Sequence, residues 1–179
     1  MQYFSESIQI NSKSCFNPVP VFMKITLLSV GKTEEKYLNE GISIYLKRLK
    51  HYIKLEITEI PELKNTKGLS QEQQKAKEAE LILKKVASTD FVVLLDERGT
   101  ELSSLQFADL LNKRMLLSTQ NLVFVIGGPY GFDNSVYQRA NDQLSLSKLT
   151  FSHQMVRLFF AEQVYRAFTI LKGGPYHHE

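Results

Sequence analysis

The chain has 179 residues and a mass of 20.6 kDa, with 43% hydrophobic and 23% charged residues. That size suits one compact domain, the apolar fraction excludes disorder as the main state, and 9 Gly and 5 Pro exclude a collagen-like chain. One cysteine, Cys15, excludes an internal disulfide framework and a Cys-rich zinc site, while 22 basic against 19 acidic residues give +3, which permits a nucleic-acid partner without demanding one.

Residues 1–22 carry neither helical nor strand periodicity, and Asn17-Pro18 and Pro20 punctuate their end. They lack the basic start and continuous apolar stretch of a secretory signal. We expect a disordered extension, or one derived from an upstream start site or from expression, ahead of a single domain over residues 23–179. No apolar run approaches the roughly 20 residues of a membrane span. The expected location is therefore the cytoplasm, with no membrane partner.

Lys24 to Val30 reads as a strand, and Glu34 to Lys50 as a helix because Leu38, Ile42, Tyr45, Leu46 and Leu49 recur at helical spacing. Ile53, Leu55 and Ile57 alternate with polar residues, as in a half-buried strand near a sheet edge. Ser70 to Ala87 predicts a charged helix with Ala76, Ala79, Ile82, Leu83 and Val86 on one side and a solvated face opposite. The runs Phe91 to Leu95 and Leu122 to Ile126 are wholly apolar and are separated by a helix over Ser103 to Leu117. That pattern belongs to a parallel sheet covered on both faces. A Gly-rich turn, a short helix near Asp133 to Ala140, the segment Leu144 to Phe151 and a long helix over His153 to Leu171 complete an α/β fold with five or so parallel strands.

Ligands of open parallel sheets sit beyond the carboxyl ends of the strands. There the chain places Leu95-Asp96-Glu97, the turn Gly127-Gly128-Pro129-Tyr130-Gly131, and Leu146 to Phe151. The turn is neither a Walker loop nor a dinucleotide fingerprint, so a phosphate-free ligand such as an adenosyl group fits better than a phosphate. A plain turn capped by Asp133 or Asn134 is the bland alternative. Peptide groups of the Leu144–Phe151 segment offer hydrogen bonds to an adenine edge, with Leu146, Leu149 and Phe151 clasping the ring. The last helix is apolar nearly all round and must be covered on most sides, one cover being a second subunit. Arg157 and Arg166 interrupt it. Arg166 either pairs with Glu162 at i,i+4 or serves as a cation near the pocket. His153 reads as a helix-start or core histidine. The tail ends in Pro175-Tyr176-His177-His178-Glu179, an aromatic, two imidazoles and a carboxylate able to close over a base. Two adjacent histidines alone are a weak metal site, and no metal is expected. Lys47, Arg48, Lys50, His51 and Lys54 cluster at the end of the first helix, as phosphate contacts or as a solvated terminus.

The IGGPYG turn, the LSLSKLTFSHQMVRLFFAEQVYRAF block and the PYHHE ending, in that order, resemble the SPOUT-class ribosomal RNA methyltransferases, specifically the H-type enzymes of the large subunit. The resemblance covers residues 23–179, with Lys172-Gly173-Gly174 before Pro175 as a departure. It implies a parallel-sheet SPOUT fold, a C-terminal trefoil knot and a homodimer. It further implies S-adenosylmethionine as methyl donor, held by Leu95, Gly127, Leu146, Ser147, Lys148, Leu149, Thr150 and Phe151. The implied reaction methylates N(3) of a pseudouridine in helix 69 of large-subunit ribosomal RNA, on assembled ribosomes. The N(3)–H is weakly acidic, so a cation (Arg166 or Arg157) would favour its anion, or His177 or His178 would take its proton. Tyr176 would stack on or position the base, the tail reaching the partner subunit's pocket. The alternative is a ribosome-associated knot protein that has lost its chemistry.

Overall fold

The computed structural model describes residues 23–174 and Tyr176. The expectations for residues 1–22 and for His177 and His178 fall outside these residues. Strands at Lys24–Val30 (β1), Lys54–Ile60 (β2), Phe91–Glu101 (β3), Asn121–Ile126 (β4) and Asp142–Ser145 (β5) form one sheet in the order β2-β1-β4-β3-β5. Every pairing is parallel. The helices are α1 (Lys36–Leu49), α2 (Gln71–Leu83), α3 (Ser104–Leu116), α4 (Asn134–Arg139) and α5 (His153–Leu171). The trefoil knot implied by the resemblance is compatible with this order.

Two-residue periodicity divides the core. On β4, Leu122, Phe124 and Ile126 face one layer with Leu49 of α1, Phe107 and Leu111 of α3, and Phe160 and Val164 of α5. Val123 and Val125 face the other layer with Ala79 and Ile82 of α2 and Val136 of α4. A strand buried on both faces has no polar side, which is why β4 reads as a continuous apolar run. The helices start where the sequence supplies caps. Ser70 and Ser103 each accept from the backbone N–H three residues on, and Gln73 and Gln106 return the bond to the cap.

Three expectations need correction. α2 stops at Leu83, not Ala87, because the Asp90 carboxylate accepts from the Ala87 N–H at 2.9 Å and closes a turn. On α2 the buried residues are Glu78, Ala79 and Ile82, whereas Ala76 is exposed, so the charged face is not wholly solvated. β3 does not end at Leu95. It leaves the ladder there and rejoins it at Thr100, opposite Leu144, which makes Asp96 to Gly99 a bulge rather than a terminal turn. Gly99 allows the return, since a Cβ there would lie 2.6 Å from the Leu144 main chain. Among the described residues no helix is long and apolar enough to cross a membrane.

Candidate active site

The carboxyl ends of β3, β4 and β5 open into a cleft of about 780 Å³, within the size range of small-molecule sites. Its walls come from three places in the chain: Leu95 to Arg98 with Glu101, Ile126 to Phe132, and Ser145 to Phe151 with His153 and Val156. All eight residues assigned by resemblance to the methyl donor (Leu95, Gly127, Leu146, Ser147, Lys148, Leu149, Thr150 and Phe151) therefore line one cavity.

Local sequence explains each wall. The β3 bulge turns Asp96 inward, where its side chain is only 6% exposed. Its Oδ2 accepts from the Tyr137 hydroxyl at 2.5 Å, and its Oδ1 accepts from the Arg98 backbone N–H at 2.8 Å. Burial alone would push this carboxyl up, but the bonds from Tyr137 and Arg98 outweigh it and hold Asp96 below its ordinary 3.8. The same contact, added to burial, pushes the Tyr137 phenol up to about 12. Below the β4 turn, the Gly131 N–H donates to the Gly128 carbonyl at 3.1 Å, and the Asp133 carboxylate caps α4. After β5 the Ser145 hydroxyl donates to the Ser147 carbonyl at 3.1 Å, while the Ser147 hydroxyl accepts from the Leu149 N–H at 2.9 Å. These bonds coil the segment into a loop, so only Leu144 and Ser145 of the alternating run are strand. Phe151 is anchored by packing on Phe159, with ring centroids 4.7 Å apart.

The donor set suits a sulfonium better than a phosphate. Asp96, Glu97 and Glu101 carry three carboxylates into the lining against the basic Arg98 and Lys148. Arg98 lies 3.3 Å from Asp96 and Lys148 3.9 Å from Glu101, which leaves Glu97 without an ion pair among the described residues and tips the balance towards a cation over a phosphate. The leucines and Phe151 supply flat apolar surface, with the half-exposed Tyr130 and the exposed Leu149 at the mouth.

Arg166 and Tyr176 lie elsewhere. Thirteen residues along α5 separate Arg166 from His153 at the cleft, on the order of 20 Å of helix. The i,i+4 pair with Glu162 forms, at 2.6 Å from Arg166 Nη2 and 3.1 Å from Nε, and the Arg166 guanidinium also stands 4.8 Å from the Tyr176 ring centroid. Arg157, the other candidate cation, is 1% exposed and committed to the fold. It donates to the carbonyls of Val30 and Gly31 at 2.9 and 3.0 Å and to the Thr33 hydroxyl at 2.7 Å. It is not among the residues that line the cleft. Burial, followed by hydrogen bonding to Asp96, is what the sequence could not signal for Tyr137, and Glu162 was visible only as a helix-pair partner.

The chain resembles known proteins over this whole region. The family model described as "Predicted SPOUT methyltransferase" matches residues 23–177. A protein of Christiangramia forsetii named Ribosomal RNA large subunit methyltransferase H is 60% identical over 156 residues, covering 87% of this chain and 99% of that protein. Proteins of the same name from Bacteroides thetaiotaomicron and Flavobacterium johnsoniae are 58% and 54% identical over 157 residues, each covering 88% of this chain and all of the relative.

Proposed function

The chain belongs to the SPOUT methyltransferase family, and from that premise we propose that it is an S-adenosylmethionine-dependent methyltransferase of N(3) of a pseudouridine in helix 69 of large-subunit ribosomal RNA. It acts in the cytoplasm, on assembled ribosomes, through a single domain over residues 23–179 with a C-terminal knot. The observation that carries this reading is the convergence of Leu95, Gly127 and residues 146–151 on one cleft at the carboxyl end of the sheet.

When bound, S-adenosylmethionine supplies a methyl group already activated by its sulfonium, so the protein's work is placement, desolvation and management of one proton. Leu146, Leu149 and Phe151 would hold the adenine, and the main chain of 127 and 146–151 would bond its edge. Glu97, with the ion-paired Asp96 and Glu101 beside it, would offer negative charge to the sulfonium. The RNA base must lose its N(3) proton as the new N–C bond forms. Tyr176 is assigned to positioning the base rather than to taking its proton: the neighbouring Tyr45, then burial and the Glu162 charge, push its phenol up to about 12. His177 and His178 are the candidates for that proton.

The tail serves a second copy of the chain. Tyr176 packs on Arg166, about 15 Å of helix from Val156 at the cleft, and a homodimer would bring a partner's cleft to the tail. Lys47, Arg48 and Lys50, with His51 beside them, form no ion pair among the described residues, and Arg48 stands 5.5 Å from the Tyr165 ring at the same end of α5, which suits an RNA backbone.

The test is methyl transfer to ribosomes, mapped by mass on the large-subunit RNA. Arg166→Ala and deletion of Tyr176–Glu179 should reduce transfer at least about a hundredfold with near-normal donor affinity by calorimetry. Full turnover by both variants contradicts the assigned roles, and an intact chain that binds no donor favours the degenerate ribosome-associated protein.

A further inference from the structure

Glu162 lies in the middle of α5, with its side chain directed towards Arg166 one turn on. Its Oε1 accepts three bonds: from Arg166 Nη2 at 2.6 Å, from Arg166 Nε at 3.1 Å, and from the Tyr176 hydroxyl at 3.3 Å. Its Oε2 accepts from Gln163 Nε2 at 2.6 Å. Arg166 closes the circle by donating from Nη1 to the Tyr176 carbonyl at 3.4 Å. Around them, Tyr165 meets the Tyr176 ring edge-on at 4.9 Å and packs against Tyr45 and Tyr52 at 6.0 and 5.9 Å. The Arg48 guanidinium stands 5.6 Å from the Tyr45 ring and 5.5 Å from the Tyr165 ring.

An exposed i,i+4 ion pair contributes little and needs no third partner. This one is mostly buried, with side chains 28% and 15% exposed for Arg166 and Glu162, and it is shared with a residue ten positions down the chain. The pairing also neutralises Arg166, so its charge is spent on Glu162 and not on an RNA base. We propose that Glu162 is a positioning residue: with Arg166 it forms a latch that seats Tyr176 and so fixes the root of the tail that delivers His177 and His178. The inference rests on the tail's role in methyl transfer stated above. Seating Tyr176 sets the direction from which the residues after it approach, and the gain is in orientation at the reacting atoms, not in substrate affinity.

A double-mutant cycle separates a latch from a mere structural pair. Glu162→Ala and Tyr176→Phe should each lower kcat, the former on the order of tenfold, with KM for ribosomes and donor affinity nearly unchanged. Glu162→Ala with Tyr176→Phe should be no slower than Glu162→Ala alone, because both remove the same bond. Glu162→Gln, which keeps an acceptor for the hydroxyl, should recover part of the rate. Two independent, multiplying losses would overturn the latch, as would an unchanged kcat in Glu162→Ala. Donor binding shows whether each variant is folded, and Tyr176→Phe with Glu162→Gln completes a cycle even where Glu162→Ala does not fold. If deleting Tyr176–Glu179 leaves turnover intact, the tail's role fails. If the deletion is inactive while Glu162→Ala is fully active, only the latch fails.

Discussion

A side chain at Gly128 would displace the buried Glu78 carboxylate, because a Cβ there would stand 2.6 Å from its Cδ and 2.8 Å from its Oε1. Glu78 reaches up from α2 under the turn that walls the cleft. It is 3% exposed; its Oε1 accepts from Gln74 Nε2 at 2.8 Å, and its Oε2 has no partner among the described residues. Gly128→Ala should cost about 1–3 kcal/mol by overpacking, read by denaturant unfolding. Glu78→Ala should recover part of it, whereas strictly additive losses would contradict the contact. Burial pushes the Glu78 carboxyl up from 4.5; the Gln74 bond opposes this and the Glu62 charge adds to it. A carboxyl raised in the fold contributes stability that is full below its unfolded value and is lost as pH climbs through the raised one. Glu78→Gln should therefore lose less stability than the native chain as pH rises above 4.5, and parallel curves would contradict that. None of this was legible beforehand. The glycines announced a turn, but what lies beneath Gly128 depends on a helix fifty residues earlier, whose glutamates look alike in the sequence.

At the scale of elements, α5 is pinned near its start by Arg157. Its guanidinium joins Val30, Gly31 and Thr33 after β1, and lies 3.6 Å from Glu59 Oε1 on β2. The loop over residues 146–151 is thus stretched between β5 and a helix fastened to the far side of the sheet. Arg157→Ala takes the guanidinium donor from two carbonyls and should cost about 1–3 kcal/mol while loosening donor binding. A denaturation midpoint equal to that of the native chain would show that the pin is dispensable. The elements themselves were legible: β1 and α5 fall where periodicity places them, and the edge position of β2 follows from its alternation. The β3 bulge was not, because Asp96 to Gly99 leaves the ladder only in response to its neighbour β5. Nor could sequence separate Arg157 from Arg166. Both interrupt one apolar helix, and only packing makes the first a buried clamp and the second half of a latch.

At the scale of the whole molecule, the proposed function calls for two chains. The cleft and Tyr176 stand apart, and apolar surface on α1, with Tyr37 60% and Ile44 49% exposed, remains uncovered beside an α5 that keeps Leu158 and Phe159 half-buried. A second copy related by a two-fold axis would cover such surface and pair each cleft with the other chain's tail. The most direct test combines two inactive chains, one with the cleft blocked by Gly127→Val and one lacking Tyr176–Glu179, refolded together. A composite site predicts that activity returns to about a quarter of the native level, because half the dimers are mixed and each carries one complete site. Mixtures that stay as inactive as either parent, with mixed dimers shown to form, would contradict it.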